Sequence, residues 1–131
     1  MLSTYISEKQ KLDTSVINVF AQNANNTLKT FKLAGEYSYQ RTIGGSLGFF
    51  NTTGSTDVFL YPQAAATGSL ADNPSSRGYL GEINYLPWLN TKVQLQCVRY
   101  AKFNGSSTNY DGTGRNASDN NALYLLGWIN F

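Results

Sequence analysis

The clearest signal along the chain is a period of two. Between residues 27 and 40, Phe31, Leu33, Gly35, Tyr37 and Tyr39 share one parity, while Thr30, Lys32, Ala34, Glu36, Ser38 and Gln40 share the other. A strand sends alternate side chains to opposite faces and a helix would mix these two sets, so the stretch predicts a strand with one apolar and one polar face. The alternation returns at 42–50, where Ile43, Gly45, Leu47 and Phe49 stand against Gly44, Ser46, Gly48 and Phe50. It returns again at 77–86 (Tyr79, Gly81, Ile83 and Tyr85 against Glu82 and Asn84) and at 91–103 (Val93, Leu95 and Cys97 against Lys92, Gln94 and Gln96). Residues 121–131 place Leu123, Leu125, Gly127, Ile129 and Phe131 on one stripe. Residues 2–9 alternate more weakly, with Leu2, Thr4 and Ile6 opposite Ser3, Tyr5 and Ser7. About six strands are therefore expected.

The connections fall into two classes. Residues 10–26, 51–76 and 104–120 are long and rich in Asn, Gly, Ser and Asp, whereas Gln40-Arg41 and Pro87-Trp-Leu-Asn90 are short turns. Two apolar clusters interrupt the long ones. Val16, Ile17, Val19 and Phe20 are expected to prolong the first strand or to pack the loop onto a rim, and Val58-Phe-Leu-Tyr61 to extend a strand. Pro87 is expected to end strand pairing because it has no N–H to donate. Glycines at 44, 45 and 48 suit a tightly curved wall.

Composition narrows the setting. Charged residues make up 14 % of the 131, against ~25 % in ordinary soluble domains, and aromatic residues another 14 %. A soluble β-sandwich or a lipocalin-like binding barrel would alternate as well, but it would cover its outer face with Lys and Glu. Here the polar parity carries few charges and many Ser, Thr, Gln and Asn. No apolar run approaches the ~20 residues of a transmembrane helix.

The last stretch resembles the C-terminal assembly signal of Gram-negative outer-membrane β-barrels, with Phe131 last and Ile129 two before it. Gly127 lies four residues before the end, where that signal's glycine usually lies five before it. The resemblance implies an all-β, antiparallel, up-and-down transmembrane β-barrel segment in the bacterial outer membrane. It implies outer-membrane lipid and the barrel assembly machinery as partners, and Leu123, Leu125, Gly127, Ile129 and Phe131 as the assembly signal. A periplasmic C-terminus would put the three long connections outside and the two short turns inside, the distribution such barrels have. Tyr37, Tyr39, Tyr85, Trp88, Trp128 and Phe131 would then form a periplasmic girdle, and Phe49, Tyr100 and Phe103 an outer one.

Six strands fall short of the ~8 that single-chain barrels need, and an open sheet leaves backbone groups unpaired in lipid at several kcal/mol each. Residues 1–131 are therefore expected to be the C-terminal part of a larger barrel domain, or a subunit closed by further copies. Met1-Leu-Ser-Thr-Tyr has neither the basic nor the apolar region of a signal peptide, which also fits missing N-terminal strands.

Candidate chemistry is sparse. The absence of histidine excludes His-based catalytic triads, zinc sites and haem ligation, and the single Cys97 has no metal-site spacing. A net charge of +2, scattered along the chain, is no nucleic-acid footprint. No carboxylate pair faces a nucleophile, so neither an enzyme nor a cofactor is expected. Lys32, Glu36, Glu82, Lys92, Gln94 and Gln96 fall on the polar parity and are the pore-lining candidates, with structural salt bridges in a filled lumen as the alternative role. Arg99 breaks the pattern by falling on the apolar parity, so it either snorkels at the rim or marks a bulge. Tyr124, Leu126 and Trp128 make the inner face of the last strand apolar. The loop 109–119 has oxygens and glycines that suit Ca²⁺, but its spacing fits no EF-hand and a turn-rich loop is the simpler reading. Gly44-Gly-Ser-Leu-Gly48 lacks the Lys-Ser/Thr of a phosphate loop.

The leading expectation is a porin-like channel for small solutes or ions. The segment 103–120 faintly resembles barrels associated with multihaem cytochromes. That implies a second role, a scaffold sheathing a periplasmic cytochrome, to which a chain without Cys-x-x-Cys-His contributes no haem ligands of its own.

Overall fold

A computed structural model describes residues 1–13, 15, 17 and 20–130. Val16 and Val19 of the first apolar cluster, and Phe131 of the terminal stripe, lie outside the described residues. The chain forms six strands: β1 (Leu2–Lys11), β2 (Asn25–Tyr39), β3 (Ile43–Gly54), β4 (Ser76–Trp88), β5 (Thr91–Lys102) and β6 (Ala122–Ile129). A 3-10 turn, Ala117–Asn120, precedes β6. The strands lie in chain order in one antiparallel sheet, with β1 and β6 at its edges. The fold is therefore all-β and up-and-down, and the sheet is open.

Register turns the period of two into two faces. Tyr37, Gly45, Ile83, Leu95 and Leu125 stand side by side across β2 to β6. One residue along, Glu36, Ser46, Glu82, Gln96 and Tyr124 make the next row on the opposite face. A slip by one residue anywhere would exchange the faces, so the matched parities pin the register. The apolar face is the open one: Leu47 is 77 % exposed, Leu125 75 % and Tyr37 72 %, whereas Asn84 and Gln94 on the polar face are 7 % and 6 % exposed. A water-soluble sheet has the reverse arrangement.

Several details depart from the alternation. Pairing of Leu2 with Ala34 and Ser3 with Leu33 puts Leu2, Thr4 and Ile6 on the polar face and Ser3, Tyr5 and Ser7 on the apolar one, so β1 is reversed. Strands β1 to β3 run further into the long connections than alternation suggests, because the backbone ladder needs no apolar side chains. Pro87 does not end β4. The register skips between Tyr85 and Trp88, Trp88 pairs with Thr91, and the turn shrinks to Leu89-Asn90 with Asn90 at φ 68°. A bulge accommodates the missing N–H. Val58–Tyr61 is a turn rather than a strand extension. At the other tight turn Gln40 and Arg41 have φ of 48° and 57°, and the Thr42 N–H donates to the Tyr39 carbonyl at 3.0 Å. Two positive φ values in succession are the mark of a type I′ hairpin turn, which neither side chain favours.

The buried core lies away from the sheet. Among the described residues, Tyr110, Ala21, Ala117, Asp57, Asp111 and Ser69 are essentially inaccessible, and all sit in the long connections. These connections leave the sheet at one end and pack into a cap. The two short turns lie at the other end.

Candidate functional site

The structure places all six pore-lining candidates on the polar face and spreads them along it. Glu36 and Glu82 flank Ser46 in one row, and Gln96 follows Glu82. Asn84 and Gln94 pair in the neighbouring row toward the turns. Lys32 lies toward the cap, opposite Phe50, and Lys92 lies toward the turns, opposite Trp128. The Lys92 ammonium sits 4.9 Å from the centre of the Trp128 ring. Lys92 thus meets Trp128, and Glu82 meets Asn84. The Asn84 amide donates to Glu82 Oε1 at 2.6 Å, while its own Oδ1 is enclosed and accepts no hydrogen bond. Toward the cap, a hollow of about 440 Å³ opens against Thr30, Lys32, Gly48, Phe50, Thr52 and Leu80.

Arg99 pairs with Tyr79 on the apolar face. The register irregularity on that side lies between Arg77 and Gly78, so the chain does not switch faces at Arg99. Gly78 occupies the irregularity because a Cβ there would run into the Arg99 carbonyl and the Phe50 ring. Tyr124, Leu126 and Trp128 bring an apolar stripe onto the polar face along β6, as their parity predicts.

The cap is built around two buried carboxylates. Asp57 accepts the N–H groups of Gln22 (2.9 Å), Asn23 (3.0 Å), Phe59 (3.1 Å) and Leu60 (3.1 Å), and the Asn26 amide at 3.2 Å. It thereby ties the first long connection to the second. Burial works against its ionisation, but the donors from Gln22, Asn23, Leu60 and Asn26 outweigh burial and lower its pKa to about 2. Asp111 ties the second connection to the third by accepting the Ala66 N–H at 2.9 Å, along with the N–H and hydroxyl of Thr113 and the N–H of Arg115. Here too burial opposes the charge, and the Thr113 hydroxyl with the N–H groups of Ala66, Thr113 and Arg115 holds the carboxyl well below its ordinary range. Burial, with the carboxylates of Asp57 and Glu8 nearby, raises the Tyr61 phenol.

Tyr110 fills the centre of the cap, its hydroxyl donating to the Ala66 carbonyl at 2.9 Å. Asn120 Oδ1 lies 3.3 Å from that hydroxyl while Asn120 Nδ2 is unpaired, and turning this amide over lets Nδ2 donate to the phenol oxygen. A chain of rings joins cap and sheet: Phe50 to Tyr100 at 5.5 Å, Tyr100 to Phe103 at 5.0 Å, and Phe103 to Tyr110 at 4.9 Å. Phe50 and Tyr100 belong to the polar face, so the cap is anchored at the mouth of that face.

The loop 109–119 behaves as a turn-rich structure. The Asp111 oxygens are occupied by N–H and O–H donors, and among the described residues no cluster of three His, Cys, Asp or Glu could hold a metal. Sequence reasoning left Asn84, Asp57, Asp111 and Tyr110 out of the candidate set. The Asn116-x-x-Asp119 spacing was readable as a capping box and forms one around the 3-10 turn. Asp57 had no such local signal. Comparison of the chain with protein-family models, curated proteins and solved structures finds no match in any of the three.

Proposed function

We propose that the chain is a wall section of an outer-membrane β-barrel, acting as a porin-like channel for small solutes or ions. The observation that carries this reading is the inside-out sheet: its exposed face is apolar and its enclosed face polar. Phe31 to Tyr39 span eight residue steps, ~27 Å along the strand and ~20 Å after a ~40° tilt, close to the ~25 Å apolar band of such barrels. Apolar grooves of about 690 and 530 Å³ lie over Gly35, Gly45 and Gly81 on the same face, and acyl chains would fill them. Further strands, from a longer polypeptide or from copies of the chain, would close the sheet and remove its two edges.

A second reading, a wall sheathing a periplasmic electron-carrying cytochrome, is favoured by one observation. Tyr124, Leu126 and Trp128 offer a packed protein partner an apolar surface on the inner side of β6.

Cys97 gives a direct test of the membrane reading, because it lies on the apolar face between Gly81 and Leu123. A fluorophore on Cys97 of the full protein in vesicles is expected to be quenched by brominated lipid and spared by iodide. The same label at Ser46→Cys in a Cys97→Ser background should show the opposite pattern. Iodide quenching at Cys97, or indifference to brominated lipid, would overturn the reading.

A further inference from the structure

The hollow toward the cap exists because residue 48 is a glycine. Gly48 pairs with Ala34 on β2 and Leu80 on β4, inside the sheet, so strands added at either edge would not fill it. A Cβ at Gly48 would meet the Leu33 carbonyl at 3.5 Å, Ala34 Cβ at 3.7 Å and Leu80 Cβ at 3.8 Å, which is ordinary van der Waals contact. Its φ is not positive either. Neither crowding nor backbone conformation demands glycine there, and a strand glycine of that kind suits close approach by a ligand. The missing side chain leaves about 440 Å³ open, within the ~300–1,000 Å³ of small-molecule sites.

The lining is divided. Ala34, Gly48, Leu80 and the Phe50 ring, held edge-on by Tyr100 at 5.5 Å, are its apolar part. Lys32, Thr30 and Thr52 supply hydrogen-bond donors. The two threonine hydroxyls lie 3.1 Å apart, so one donates to the other, and the accepting hydroxyl keeps its own proton for a third group. The Lys32 ammonium adds three donors, and among the described residues nothing accepts from it. No carboxylate lines the hollow. Thr4, Lys32, Phe50 and Gly78 share one row, and the acidic residues of this face, Glu8, Glu36 and Glu82, each lie four residues along a strand from it. That is ~13 Å at the backbone, beyond the ~8–10 Å screening length of physiological salt.

We propose that this hollow binds an organic monocarboxylate with a compact apolar body, an aromatic acid such as benzoate being the simplest. The carboxylate takes its hydrogen bonds from the Lys32 ammonium and the free threonine proton, a charge-assisted pairing. The body lies over Gly48 between Phe50 and Leu80, ring against ring on the Phe50 side. A cation would meet only positive charge and donors, and a bare inorganic anion would leave the apolar walls unused. The proposal names a solute class for the channel: passage of that solute rests on the channel reading, and binding does not.

Isothermal titration of the full protein in detergent reads the site with three probes: benzoate, its neutral isostere benzamide, and acetate, which keeps the carboxylate and lacks the body. Benzoate should bind roughly tenfold tighter than either of the others, or better. Lys32→Met should bring benzoate down to the benzamide level, and Lys32→Arg should restore most of the loss. Lys29→Met, the same kind of change on the opposite face of β2, should leave binding unaltered. Gly48→Leu puts a side chain into the hollow and should abolish binding of benzoate and benzamide alike, with the far-UV circular dichroism unchanged. Benzoate and benzamide held equally, or benzoate binding that survives Lys32→Met or a folded Gly48→Leu, overturns the site. Solute flux into vesicles separates site from channel. Flux of small solutes without Lys32-dependent benzoate binding overturns the site and spares the channel. Lys32-dependent binding in a protein that passes no solute upholds the site and overturns the channel.

Discussion

The sheet and the cap solve the burial problem in opposite ways. The sheet displays Leu47, Leu125, Tyr37 and Ile83 on its open face, which the proposed barrel wall would turn to lipid. The cap encloses Tyr110 within a shell of Asp, Asn and Ser side chains whose hydrogen bonds replace an oily interior. The first should lose its fold when its surroundings change, and the second when a single carboxylate is removed. That contrast separates residues left open to their surroundings from residues that need one another.

The sharpest way to break the contrast is to empty the cap. Asp57→Ala strands several N–H groups at ~1–3 kcal/mol each, so a loss of ~3–5 kcal/mol is expected, confined to the cap. Proteolysis should cut within 55–75 while far-UV circular dichroism keeps its β signature. Simultaneous loss of both would show that the two regions are one cooperative unit.

Next comes a charge on each face of the wall. Leu47→Arg should destabilise the protein in lipid by ~2–4 kcal/mol, and Ser46→Arg, one residue away, by about 1 kcal/mol or less. Denaturant titration in vesicles measures both, and equal costs would remove the distinction between the faces.

Acid should weaken the cap. The folded Asp57 carboxyl has its pKa lowered from 3.8 to about 2. Its contribution to stability is complete above the unfolded value and is lost as pH falls from about 4 through about 2. Pepsin, active in that window, should nick the cap faster as pH drops, and Asp57→Asn should flatten the dependence.

The smallest effect belongs to the turn at Gln40-Arg41. Replacement by Asn-Gly suits two positive φ values and should stabilise the hairpin by ~0.5–1 kcal/mol without touching the cap.

What could be read from the sequence follows the same division. The faces of β2 to β6 were legible because each strand repeats the alternation, and antiparallel pairing of matched parities leaves one register that keeps Leu33, Leu47, Ile83, Leu95 and Leu125 on one face. β1 was not, because its place follows from the hydrogen-bond ladder with β2, and Leu2 and Ile6 tolerate the polar side at an edge. Pro87 misled because its lost N–H is absorbed by a bulge, which no single residue announces. The cap was illegible for a different reason. Its contacts join residues 35 and 45 positions apart, such as Gln22 with Asp57 and Ala66 with Asp111, and no local period encodes such pairings. The polar face was legible as a set of residues, but not as an order of charges along it, since that order depends on register.

The ring chain Phe50, Tyr100, Phe103 and Tyr110 has a mechanical consequence. A force pulling outward on the third connection must break three ring contacts, each worth ~0.5–1.5 kcal/mol, to lift it from the wall. The rings hold the third connection to β3 and β5, while Asp57 and Asp111 tie the three connections to one another. The loops should yield to tension as a block, as a bolted lid does, rather than fold back as a flap.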